Sequence, residues 1–159
     1  MAFDGITIAA MVKELHLNLD GGRFNKIAQP EADELLITGK GANGQCRLLL
    51  SASASLPLIY FTSKNKPSPM TAPNFCMLLR KHIGSARVSD IRQPGMERVV
   101  MFELEHLNEL GDPCKKVLIM ELMPKEVRSV TIGPHMPAPA RASAPFSEIC
   151  PIYILSIIL

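Results

Sequence analysis

The chain has 159 residues, of which 47% are apolar and 20% charged, and carries a formal net charge of +2. That length supports one ordinary domain burying about two-thirds of its unfolded surface, and the composition excludes disorder over the first 123 residues. The near balance of charge excludes a global field as the basis of nucleic-acid binding, so such a role has to rest on a local patch.

In chain order, Asp4 is placed to cap a helix whose apolar residues Ile8, Met11, Val12, Leu15 and Leu19 recur at three-and-four spacing. Gly21-Gly22 stops it. Short strands are expected at Phe24–Ile27, broken by Pro30, and at Glu34–Thr38, with Asn43-Gly44 suited to positive backbone angles at a hairpin and Cys46–Ser51 as the returning strand. After a small-residue connection, Leu58–Thr62 reads as another strand, and Lys64–Pro73, with prolines at 67, 69 and 73, as an exposed, mobile loop.

Asn74 is placed to cap a second helix, FCMLLRKHI, which ends at Gly84 in the C-terminal glycine position. One face of it is apolar while Arg80 and Lys81 stay in water. Strands follow at Arg87–Arg92, Arg98–Glu105 and Lys115–Leu122, with the turn Gln93-Pro94-Gly95-Met96 delivering Glu97 and Arg98 to the start of a strongly apolar strand. Between Arg80 and Arg98 the chain has Arg80, Lys81, Arg87, Arg92 and Arg98 against Asp90 and Glu97, a local basic excess. Hairpin-linked strands with two helices predict an α+β domain.

Residues 124–148 are rich in Pro and Ala, which excludes a central strand or a helix interior, and residues 149–159 are almost wholly apolar. That last segment is too short for a membrane helix of about 20 residues and reads as a buried, interfacial or closing strand. Cys46, Cys76, Cys114 and Cys150 are far apart and read as buried thiols; with scattered histidines, they define no metal site and no catalytic triad. Met1–Asp20 contains acidic residues and lacks a continuous apolar core, so no signal peptide is expected and the expected location is cytoplasmic.

The segments MAFDGITIAAMVKEL, GGRFNKIAQPEADELLIT, LLLSAS, FCMLLRKHI, GMERVVMFELE and LGDPCKKVLIMELM occur in an order that resembles the N-terminal domain of the NFACT family over Met1–Met123. These are bacterial proteins often named fibronectin-binding protein A or RqcH, related to eukaryotic ribosome-quality-control factors. The resemblance implies an antiparallel β-sandwich or partly closed barrel with flanking helices, similar to the N-terminal domain of formamidopyrimidine-DNA glycosylases. The glycosylase proline amine is absent, since Ala2 and Phe3 follow Met1, so no catalysis and no cofactor are expected.

The resemblance also implies binding of tRNA and of the large ribosomal subunit, with its rRNA, during rescue of stalled translation and alanine tailing of the nascent chain. The family's Asp-Arg pair is represented by Glu97 and Arg98, and its acidic-aliphatic-methionine triplet by Glu121, Leu122 and Met123. Glu97 departs from the family aspartate by one methylene, which puts a geometrically strict carboxylate contact in question. Without the resemblance, Glu97 and Arg98 read as a surface ion pair worth under about 1 kcal/mol; with it, RNA contact is the favoured reading. Arg80, Lys81 and Arg87 are either supporting RNA contacts or the wet face of a helix and strand, and Glu121 either braces Arg98 or faces solvent. The historical family name supplies the alternative, a surface adhesin that binds fibronectin.

Overall fold

The computed structural model describes residues 4–53, 56–122 and 130–134. Helix α1 (Gly5–Leu19) begins as expected: the Asp4 carboxylate accepts hydrogen bonds from the Thr7 amide at 2.8 Å and the Thr7 hydroxyl at 2.7 Å. Its stripe Ile8, Leu15 and Leu19 is buried, with Met11 and Val12 packed at the margin. Strands β1 (Arg23–Glu31), β2 (Glu34–Gly41), β3 (Gly44–Ser51) and β4 (Leu58–Phe61) form the expected meander. β1 is longer than its sequence signal because Pro30 lies within an irregularity between Ala28 and Glu31, where no ladder amide is required.

Helix α2 (Asn74–Ile83) is followed by β5 (Arg87–Arg92), β6 (Val99–Leu107), β7 (Pro113–Glu121) and β8 (Val130–Pro134). The eight strands of the described residues belong to one antiparallel sheet, in the order β4-β3-β2-β1-β5-β6-β7-β8. β1 and β5 share only the pair Arg23↔Arg87. Main-chain bonds reinforce that joint: Phe24 N donates to Ala86 O at 3.0 Å and Val88 N to Gly22 O at 2.8 Å. The inner faces of the two half-sheets and the two helices supply one core, in which the Phe24 and Phe102 rings meet edge-on at 6.4 Å.

Several local expectations are corrected. Asn74 is the first residue of α2, not its cap; Pro73 precedes it and no side chain caps the helix. Gly84 does not take a left-handed conformation, which falls instead to Ser85 at φ 61°. Glycine is needed at 84 for space, because a Cβ there would lie 2.3 Å from Arg80 O. At the β2–β3 turn only Gly44 has positive φ, while the Asn43 amide donates to Leu17 O at 3.3 Å and so ties the hairpin to α1.

The loop after β4 is tethered: Lys66 pairs with Glu34 and lies 3.6 Å from Glu31, and Arg47 Nη1 donates to Ser63 O at 3.1 Å. Its proline content conceals these long-range anchors. β8 arises inside the proline-rich segment, as an edge strand, a place that tolerates such composition. The suggested closing strand at 149–159 lies outside the described residues. Cys76 is buried as expected, whereas Cys46 and Cys114 are only partly buried; all three are free thiols.

Phe102→Ala removes the ring that bridges the half-sheets and is expected to cost about 3–5 kcal/mol in urea unfolding, whereas Met70→Ala, at a fully exposed position, should stay within about 0.5 kcal/mol of the parent.

Candidate nucleic-acid interface

Arg98 sits where the β5–β6 turn meets the first turn of α1. The turn closes through Glu97 N to Pro94 O at 3.2 Å, with Gly95 at φ 58°. The Gln93 amide donates both to Glu97 O at 2.8 Å and to Gly5 O at 2.9 Å, fastening the turn to the helix start. The approach is close enough that a Cβ on Gly5 would lie 2.2 Å from Met96 O. On the other side, Leu122 N donates to Arg98 O at 2.7 Å, so β7 also holds the Arg98 main chain.

The main chain of the half-buried Arg98 is therefore braced from several elements, and one charge relation of its side chain is one that sequence reading did not supply. Hydrogen bonds from Thr7 hold the Asp4 carboxyl below the usual range, and the Arg98 guanidinium adds to this. Among the described residues, Glu97 and Arg98 form no ion pair with each other, and Glu97 is exposed. Asp4 and Arg98 lie too far apart in sequence for any local pattern to connect them. Ile6 and Met96, on α1 and in the β5–β6 turn, are exposed apolar side chains of the same corner, 71% and 61% accessible.

Glu121 lies opposite Val99 and is half-buried, so it adjoins the start of β6. Leu122 has 1% exposure, which limits its side chain to the core and its contribution at the corner to the main chain. Met123 lies outside the described residues.

The other cations are not brought to Arg98. Arg80 Nε donates to Ile27 O at 2.8 Å and staples α2 to β1. Lys81 lies 2.9 Å from Glu109, beyond the far end of β6, which is about 30 Å from Arg98 at strand rise. Arg87 faces Glu105, about 20 Å along the same strand from Val99. Arg92, between them, is paired with Glu103. The apparent cluster in sequence is thus distributed along the full length of a hairpin.

At that far end Lys116 Nζ donates to His82 O at 2.9 Å and lies 3.2 Å from His82 Nδ1. Burial, with the Lys116 charge, pushes both His82 and His106 below the ordinary histidine range. Among the described residues no group of three or more His, Cys, Asp or Glu side chains could hold a metal ion, and no helix is long and apolar enough to cross a membrane.

Residues 4–126 match the NFACT N-terminal and middle domains. The chain belongs to the NFACT family. It is 38% identical over 125 residues to the Rqc2 homolog RqcH of Bacillus subtilis, covering 77% of this chain and 22% of that protein. Over 120 residues it is 30% identical to the human ribosome quality control complex subunit NEMF, covering 76% of this chain and 10% of that protein. The NFACT chain thus spans a quarter or less of these relatives. Its fold is similar to the crystal structure of the N-terminal domain of fibronectin-binding protein PavA from Streptococcus pneumoniae, with a TM-score of 0.80 and 32% identity over 84% of this chain and 50% of that one. It is likewise similar to the N-terminal structure of the fibronectin/fibrinogen-binding protein from Streptococcus suis, with a TM-score of 0.81, 31% identity and coverage of 84% and 50%.

Two outcomes follow from this geometry. Gly5→Ala should lower stability by about 1–3 kcal/mol in chemical denaturation because its methyl meets the turn carbonyl, although helix propensity alone favours alanine by about 1 kcal/mol. Because the folded-state pKa values of His82 and His106 are lowered, the stability tied to their neutral forms is present above the unfolded histidine value and is lost as pH falls through it toward the folded values. Melting temperatures of His82→Gln should therefore fall less than those of the parent between about pH 7 and pH 5.

Proposed function

We propose that this NFACT chain is an RNA-contacting module of a ribosome quality control factor, acting in the cytoplasm. In this reading it contributes to tRNA and large-subunit binding during rescue of stalled translation, and supports alanine tailing only as part of a longer protein. It binds and orients RNA and performs no chemical step. Similarity to the bacterial RqcH and the human ribosome quality control complex subunit NEMF supports the quality-control setting.

The observation that carries the RNA reading is the mounting of Arg98: a half-buried guanidinium whose main chain is held by Leu122, beside a turn fastened to α1 by Gln93. A planar cation on a main chain braced in this way can grip a phosphate bidentately or stack on a base. Glu97, exposed at the turn, is free to accept from a ribose or base donor; its extra methylene changes reach and keeps charge. Glu121 occupies the adjoining strand end, and Arg80, Lys81 and Arg87 are left to other surfaces.

The second reading is fibronectin binding, which the similarity to the fibronectin-binding proteins of two streptococci favours. It predicts saturable binding of the full chain to immobilised fibronectin that RNase treatment does not alter.

Fluorescence-anisotropy titration of deacylated tRNA at low salt separates the readings. Arg98→Ala should bind about tenfold more weakly than the parent, in keeping with loss of a charged hydrogen-bonding group. Indistinguishable affinities of the two proteins would remove Arg98 from the interface.

A further inference from the structure

Sheet register places together a set of cations that are distant in sequence. Arg23 on β1 is directly opposite Lys40 on β2 and, on its other side, Arg87 on β5. Arg87 in turn faces Glu105 on β6, and Glu105 faces Lys115 on β7. Directly paired residues project to the same face, so Lys40, Arg23, Arg87, Glu105 and Lys115 form one transverse row across five strands. At about 4.8 Å per strand the row is about 19 Å wide. A β-bulge between Phe24 and Lys26 turns Lys26, opposite Thr38, to this face as well.

The row is on the outer face, opposite the common core. Along the strands the next residues of this face are Thr38, Asp90, Glu103, Leu107 and Val117, and farther on come Leu36, Leu49 and Met101, in small clusters separate from the core, whereas Phe24, Ile37, Leu48, Val88 and Leu104 point into the core. Arg23, Lys26, Lys40, Arg87 and Lys115 are all exposed. Among the described residues none of the five has an ion pair, and Glu105 is the one carboxylate in the row. Like charges directly opposite one another destabilise a sheet. Lys40, Arg23 and Arg87 are adjacent in this way at the narrow joint between the half-sheets, where an external polyanion would relieve the repulsion.

We propose that this outer-face row is a second RNA-binding surface that takes the phosphate backbone without reading bases. It lies about 20 Å along β6 from the Arg98 corner and on a different face. The choice of RNA as the polyanion rests on the proposed function above. A lipid surface is the weaker fit, because the exposed large apolar side chains that register puts on this face, Leu107 next to Glu105 and Tyr60 on β4, are two side chains on opposite halves of the sheet and form no continuous apolar surface to enter acyl chains. An acidic peptide lacks a groove or pocket among these flat strand positions to fix its side chains.

The test compares the full chain with Arg23→Gln/Lys40→Gln/Arg87→Gln, titrating a 12-base-pair RNA duplex and tRNA by anisotropy over a series of salt concentrations. All three positions are exposed, and circular dichroism with thermal melting checks that the triple variant folds. The expected result is binding weakened about tenfold at low salt and a salt slope shallower by about 2–3, with the same loss for duplexes of different sequence. An unchanged affinity and slope overturn the proposal, as does a loss confined to poly-glutamate or to phosphatidylserine vesicles titrated in parallel. Arg98→Ala is run alongside. If it weakens tRNA binding while the triple variant does not, the corner stands and the row falls; the opposite pattern keeps the row and removes the corner. If neither changes, both fall.

Discussion

The joint between β1 and β5 is the constraint on which the rest of the architecture depends. One residue pair and a few main-chain hydrogen bonds hold two four-stranded halves together. A longer ladder would continue the halves as one flat sheet; so short a joint lets their inner faces turn toward each other and share α1, α2 and the Phe24–Phe102 contact. The joint also decides what lies on the outside. The residues that make it, Arg23 and Arg87, point away from the core because their neighbours Phe24 and Val88 point in.

Both candidate surfaces follow from this arrangement, by different means. The Arg98 corner is built through contacts distant in sequence: Gln93 to Gly5, Leu122 to Arg98, and the Asp4 carboxylate within the field of Arg98. The outer row is built by register alone. A guanidinium on a braced main chain suits a contact of defined geometry, while five exposed cations suit a backbone that presents charge at short intervals. Within one NFACT domain the two properties occur on separate faces.

Much of the fold was legible from local pattern. The α1 stripe, the Asp4 cap, the meander from Phe24 to Thr62 and the apolar β6 all express periodicities that tertiary structure did not override. The errors occurred where local chemistry was ambiguous: Gly84 serves space and not backbone angle, Asn74 enters the helix it was expected to cap, and Pro30 is absorbed by a bulge. The candidate site was legible only in part. Resemblance pointed to Arg98, but the sequence neighbours Arg80, Lys81 and Arg87 are separated by strand length, while Arg23, Lys40 and Arg87 become adjacent across 64 positions of chain. No window along a sequence reveals a row that runs perpendicular to it.

The contact between Gly5 and Met96, together with the bond from Leu122 to Arg98, imposes an order of events during synthesis. The helix start leaves the ribosome early, the turn follows some 90 residues later, and the amide that secures Arg98 arrives last, at position 122. Such long-range closure is slow relative to helix and hairpin formation. The nascent protein therefore does not hold the assembled corner until nearly the whole of β1 to β7 has been made.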